Sequence, residues 1–138
     1  MVPLGGRMDE ISDSSIPFPN RAGNLYQVRY LSFWTEDGLE TAERHIGWLR
    51  ELYDLAAPYV SSNPRSAYVN YRDLDIGMND IVEGETSFEQ AKVWGEKYFG
   101  NNFDRLARVK AAVDAHNFFR NEQSIVPIPR RLDFLGKQ

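Results

Sequence analysis

The stretch from Leu25 to Trp34, Leu-Tyr-Gln-Val-Arg-Tyr-Leu-Ser-Phe-Trp, constrains the fold most. Its aromatic and branched residues favour extended backbone, and polar Thr35-Glu36-Asp37-Gly38 closes it. A strand of this length must find partners, and the rest of the chain offers few. Arg7 to Ile11 and Ala67 to Tyr71 are the other strand-like pieces. Two or three strands make a weak ribbon with open edges, so the sheet is expected to continue beyond this chain. Side chains alternate along a strand, which puts Tyr26, Val28, Tyr30, Ser32 and Trp34 on one face. Leu25, Gln27, Arg29, Leu31 and Phe33 take the other.

Helices are easier to place. Leu39, Ala42, Ile46, Leu49, Tyr53 and Ala56 recur at three- and four-residue spacing, which predicts a helix from Leu39 to Tyr59, limited by Pro58. Ser61 to Arg65 is a turn cluster, and the acidic stretch from Gly77 to Gly84 is loop-like. Thr86 or Ser87 can cap a helix from Phe88 to Tyr98 with Phe88, Ala91, Trp94 and Tyr98 as its apolar face. Gly100 breaks it, and Asn102 can cap another helix with the stripe Leu106, Val109 and Val113. Asp114 to Gln138 is irregular, and the aromatic and amide side chains between Val113 and Ile125 predict an ordered, packed tail there. The fold class expected is α+β, antiparallel strands covered by helices.

Composition excludes several functions. With 42% hydrophobic and 26% charged residues the chain is globular in composition. A net charge of −4 argues against nucleic acid and anionic membrane surfaces as partners. No apolar run is long enough to span a bilayer, and no basic-led apolar leader marks a signal peptide in this chain. Cysteine is absent, which removes disulfides and thiolate chemistry. His45 and His116 are the only histidines, too few for a His-rich metal site, so no metal is expected. His45, beside the long helix's stripe, reads as a surface or packing residue. Gly5-Gly6 lacks the Lys-Ser/Thr and helix of a phosphate loop, and no dinucleotide fingerprint occurs.

Two constellations could carry chemistry. Gln27 and Arg29 interrupt an otherwise apolar strand face. A ligand-lined pocket explains them, and so does a half-exposed sheet face. The run Tyr68-Val69-Asn70-Tyr71-Arg72-Asp73-Leu74-Asp75 concentrates phenolic and polar groups at a strand end. A phenol ionises near pH ~10, so Tyr71 could act as a base at neutral pH only with a cation to stabilise the phenolate. By spacing alone it reads rather as a structural tyrosine beside an Arg72–Asp73 pair that holds the turn.

The same run, with Gly5-Gly6-Arg7-Met8-Asp9-Glu10-Ile11-Ser12, Ile16-Pro17-Phe18-Pro19, Arg21-Ala22-Gly23-Asn24-Leu25-Tyr26, Trp94-Gly95-Glu96-Lys97-Tyr98-Phe99 and Asn117-Phe118-Phe119-Arg120-Asn121-Glu122-Gln123-Ser124-Ile125, resembles the plant berberine-bridge-enzyme-like FAD-linked oxidoreductases. The resemblance covers almost the whole chain. It implies that residues 1–60 close a substrate-binding domain and that residues 61–138 form the C-terminal segment returning to a flavin domain. The N-terminal FAD-binding domain, with its covalent attachment residues, is expected to be absent. The resemblance further implies hydride transfer from a small organic substrate to FAD, often with oxygen as acceptor, in a secreted or extracellular plant protein. Tyr71 matches the tyrosine that serves as catalytic base in several members. Asn70 lies beside it near the flavin, and Gln27 and Arg29 match strand positions that face the substrate. Gln27, Leu4, Asn20, Ala115 and Val126 depart from the residues usual at their positions. The alternative is a non-catalytic truncated fragment without bound flavin, an orphan or interaction piece.

Overall fold

The computed structural model describes residues 1–62, 65–80 and 86–129. They divide into two units. The first comprises Met1–Ser12 and Asn20–Ser66, the second Asp13–Pro19 and Ala67–Gln138. The chain is of mixed α+β class.

In the first unit, strand β1 (Val2–Pro3) pairs antiparallel with β2 (Tyr26–Gln27), Val2 opposite Gln27 and Pro3 opposite Tyr26. One further bond, from the Leu4 N–H to the Leu25 carbonyl at 2.9 Å, extends the pairing. The strand expected from Leu25 to Trp34 therefore shrinks to two residues, and residues 28–37 carry no regular secondary structure. A strand exists only against a partner, and β1 stops early. Pro3 has no N–H to donate. Gly5 and Gly6, at φ 114° and 57°, then turn the chain into a short 3-10 turn at Gly6–Glu10. That turn replaces the strand expected over Arg7 to Ile11. Neither face of the expected strand is a core face, since Leu25 and Phe33 are exposed on one and Tyr26 and Trp34 on the other. The expected cover of helices over the sheet is likewise not found among the described residues.

Helix α1 (Leu39–Ala56) runs on into a 3-10 turn at Ala57–Tyr59 that contains Pro58, as its periodicity predicts. Ala42, Leu49, Tyr53 and Ala56 of its stripe are half-buried, whereas Leu39 and Ile46 are exposed. The Arg65 guanidinium lies 3.4 Å above the Tyr53 ring and donates to the Tyr53 carbonyl at 2.8 Å, which seats the chain after the helix against its last turns. The Ser61 hydroxyl accepts from the Ser66 N–H at 3.0 Å across the expected turn, of which Asn63 and Pro64 lie outside the described residues. His45 is a packing residue: its ring stacks on Trp34 at 4.8 Å, with Nδ1 3.3 Å from the Ser32 hydroxyl.

The second unit holds the core. Helix α2 (Phe88–Phe99) starts with a capping box in which the Ser87 hydroxyl accepts from the Gln90 N–H and the Gln90 side chain accepts from the Ser87 N–H. Its expected face, Phe88, Ala91, Trp94 and Tyr98, is buried in full. Gly100, at φ 54°, ends it. Helix α3 (Phe103–Val113) follows, but Asn102 makes no side-chain cap bond to it. The Asn102 amide instead donates to the carbonyls of Asp13 at 2.8 Å and Phe99 at 3.1 Å. The buried face of α3 is Phe103 and Ala107 with Leu106 half-buried, while Val109 and Val113 are exposed. The stripe expected from Leu106, Val109 and Val113 is thus rotated, because α2 presents Gly95 and makes room for the Phe103 ring. Val126, in the tail, completes the core with Ile76.

Candidate functional site

The strand expected over Ala67 to Tyr71 does not form. The Ala67 N–H bonds the Lys97 carbonyl near the end of α2 at 2.9 Å instead of a second strand. The chain then turns, with the Tyr71 N–H donating to the Tyr68 carbonyl at 2.8 Å. Asn70 and Tyr71, two of the expected site residues, therefore sit together on one turn. The Asn70 amide donates to the Tyr68 hydroxyl at 2.7 Å. Aromatic edges line up beneath: Phe18 meets Tyr68 at 5.7 Å and Tyr68 meets Tyr71 at 5.5 Å, both edge-to-face. Tyr71 is 41% exposed, a phenol presented outward from a built turn.

The turn is held from below and behind. Asp73 N–H donates to the Tyr98 hydroxyl at 2.8 Å, and Gln123 Nε2 donates to the Asp73 carbonyl at 2.7 Å. The Asp73 carboxylate accepts from the Asp75 N–H at 3.0 Å and starts a 3-10 turn at Leu74–Ile76. Lys97 Nζ donates to the Ile76 carbonyl at 3.2 Å. Asn79 then ties the loop to the tail. Its N–H donates to the Glu122 carbonyl at 2.6 Å, and its amide donates to the carbonyls of Asn121 and Ser124 at 3.1 Å and 2.7 Å. The expected acidic loop continues into residues 81–85, which lie outside the described residues.

Burial pushes the Tyr98 phenol above its ordinary range, despite its hydrogen bonds to the Asp73 backbone and to Gln123. Tyr98 therefore stays protonated and can donate. Its role was not visible in the spacing, which marked it only as one of four core positions on α2. The sequence likewise places Gln123 only within a packed tail. Both do lie within stretches that carry the family resemblance.

Gln27 and Arg29 lie in the first unit. Gln27 is the half-buried end of β2, and Arg29 is exposed beyond the ladder. A cavity of about 340 Å³ is lined by Ala111, Ala115, His116, Pro127, Ile128 and Pro129, and by none of the four expected site residues. Among the described residues no three His, Asp or Glu side chains group as metal ligands. No described helix is long and apolar enough to cross a membrane.

Residues 67–126, which span the Tyr71 turn, both helices of the second unit and the tail that ties them, match the family described as "Berberine and berberine like". Cannabidiolic acid synthase-like 1 of Cannabis sativa is 56% identical over 129 residues, 94% of this chain and 23% of that protein. Tetrahydroberberine oxidase of Berberis wilsoniae is 53% identical over 127 residues, 92% of this chain and 23% of that protein.

The chain belongs to the berberine-bridge-enzyme-like family.

The structure agrees. Berberine-bridge-enzyme-like protein 28 of Arabidopsis thaliana superposes with a TM-score of 0.84 at 45% identity, over 92% of this chain and 26% of that one. The chain thus spans about a quarter of the length of the berberine-bridge-enzyme-like relatives it matches.

Proposed function

We infer that this berberine-bridge-type segment supplies part of the substrate side of an FAD-linked oxidoreductase. Tyr71 is the proton acceptor, Gln27 and Arg29 are substrate contacts, and Asn70 and Tyr71 are neighbours of the flavin. The observation that carries the reading is the Tyr71 phenol, presented outward from a turn whose backbone is fixed by α2 and the tail. A base must be held in place before its substrate arrives, and a turn tied at so many points does that.

The residues at hand suit one edge of a flavin ring and no more of FAD. A phenol and a carboxamide side by side offer aromatic surface and hydrogen bonds, whereas among the described residues no glycine-rich turn leading into an α-helix offers the pyrophosphate a seat. When bound, the flavin would supply hydride-accepting chemistry, with oxygen as a candidate final acceptor. Tyr71 Oη would take the proton of a substrate hydroxyl. A small organic substrate fits the oxidase and synthase-like relatives, and a secretory location follows the family.

The test is Tyr71→Phe in a full-length family member carrying this segment, followed by anaerobic flavin reduction on mixing with substrate. General-base removal should slow reduction by about 10²–10⁴-fold. Unchanged reduction sinks the assignment.

A second reading is that the chain by itself is a non-catalytic piece without flavin. The observation favouring it is that every buried hydrophobic residue among those described lies in the second unit, and α1 buries none. Flavin absorbance that persists in the purified chain after denaturation would refute this reading.

A further inference from the structure

Gln123 is 6% exposed, and both ends of its carboxamide are committed. Nε2 donates to the Asp73 carbonyl and to the Gly77 carbonyl, each at 2.7 Å. Oε1 accepts from the Tyr98 hydroxyl at 3.1 Å. The Tyr98 oxygen in turn accepts from the Asp73 N–H at 2.8 Å. Both main-chain polar groups of Asp73, two residues beyond Tyr71, are therefore held by side chains, and its carbonyl also accepts from the Ile76 N–H at 3.4 Å in the 3-10 turn.

The geometry is that of a bracket. One amide spans the 3-10 turn at Leu74–Ile76, gripping the residue before it and the residue after it. The far end has no slack. Gly77 takes φ 133°, and a Cβ there would meet Trp94 Cβ at 3.1 Å. Gln is the side chain that fits. Asp and Glu lack the paired N–H donors, and an apolar residue would take this donor from the half-buried carbonyls of Asp73 and Gly77 and this acceptor from the Tyr98 hydroxyl. None of these bonds joins α2 to α3. Those to Asp73 and Gly77 are directed at the loop that carries the exposed Tyr71, and the bond between Gln123 and Tyr98 joins the tail to α2 behind it.

We propose that Gln123, acting through Tyr98 and Asp73, is the positioning residue of the Tyr71 turn. It touches no reacting atom. It fixes the backbone from which the phenol projects, so that the phenol occupies one place before substrate binds. The catalytic consequence rests on the reading of Tyr71 as proton acceptor; the anchoring of the turn does not.

The test uses Gln123→Met, similar in length and without amide groups, and Tyr98→Phe, which keeps the ring in the core and removes only the hydroxyl. Hydrogen exchange of the Asp73 amide is measured in this chain, with the Trp94 amide as internal reference. In a flavin-loaded full-length member carrying the segment, kcat and KM are measured for the same variants and for Tyr71→Phe. The expected result is Asp73 exchange at least tenfold faster with Trp94 exchange unchanged, and kcat at least tenfold lower with KM within twofold. If Gln123→Met does not fold, Tyr98→Phe carries the test. Unchanged Asp73 exchange in a folded variant overturns the proposal whatever Tyr71 does. Faster exchange with full kcat, where Tyr71→Phe is itself impaired, overturns the positioning role. Full activity of Tyr71→Phe overturns the proton-acceptor reading instead, and the exchange result alone then supports or overturns the anchoring.

Discussion

The Phe103 ring occupies the space into which a side chain at Gly95 would project. A Cβ built on Gly95 would lie 2.2 Å from Phe103 Cε2 and 2.3 Å from Cδ2. Phe103 is fully buried and stacks on Phe88 at 5.6 Å, with Trp94 edge-on at 5.9 Å, so it has nowhere to retreat. In an open helix Gly→Ala is favourable by up to about 1 kcal/mol. Here the overlap outweighs that gain, because overpacking a filled core costs about 1–3 kcal/mol. Gly95→Ala is expected to lower the urea midpoint of unfolding, and an unchanged or higher midpoint would show that α2 and α3 part more easily than this packing implies.

Gly47, inside α1, is the opposite case. A Cβ there would meet nothing within 4 Å, and the backbone is helical. Gly47→Ala removes unfolded-chain freedom at no steric cost and should stabilise α1 by about 0.5–1 kcal/mol. Helical circular dichroism followed through thermal unfolding checks the sign, and a lower midpoint contradicts the open surroundings of this position.

These two glycines show what the sequence could and could not reveal. Helix α1 and helix α2 were legible from periodicity, and α2's start from Ser87, because helix signals are local. Both glycines read alike in sequence, and only tertiary packing separates them. The same limit explains α3, whose buried face is chosen by the room Gly95 leaves for Phe103 rather than by where its valines fall. It also explains the shortened strand at Tyr26–Gln27, since nothing in Leu25 to Trp34 records where its partner ends. Asn70 and Tyr71 stand out through the resemblance of their motif. Their support came from Tyr98 and Gln123, far along the chain, and hydrogen bonds over such separations leave no spacing signature.

The Ser87 cap gives a prediction of known size. Its hydroxyl accepts from the Gln90 N–H at 3.1 Å, and the Ser87 N–H donates to Gln90 Oε1 at 3.0 Å. Ser87→Ala removes the first bond and should cost about 1 kcal/mol, within the usual range of about 0.5–2 kcal/mol for losing a cap. Gln90→Ala removes the reciprocal bond, so the double variant should cost less than the sum of the two singles if the box acts as one unit. Strict additivity in chemical denaturation would argue that each bond acts alone.

The last prediction concerns pH and the loop after α3. Asp114 closes that helix, and its carboxylate accepts from Lys110 Nζ and from the N–H groups of Phe118 and Phe119 at 2.8 Å and 3.0 Å. Asn117 takes φ 51° to let the chain fold back over the carboxylate. The Lys110 hydrogen bond, helped by the two amides, holds the Asp114 carboxyl below its ordinary value of 3.8. A carboxyl depressed in the folded state contributes stability that is fully present above 3.8 and is lost as pH falls through the lower folded value. The loop should therefore be intact from neutral pH down to about pH 4 and loosen only below it. Amide resonances of Phe118 and Phe119 followed during acid titration should move together with a midpoint below 3.8. Asp114→Asn should abolish that shared midpoint, because its amide does not titrate in this range. A midpoint at or above the ordinary aspartate value would mean that Lys110 and the two amides do not favour the ionised carboxylate.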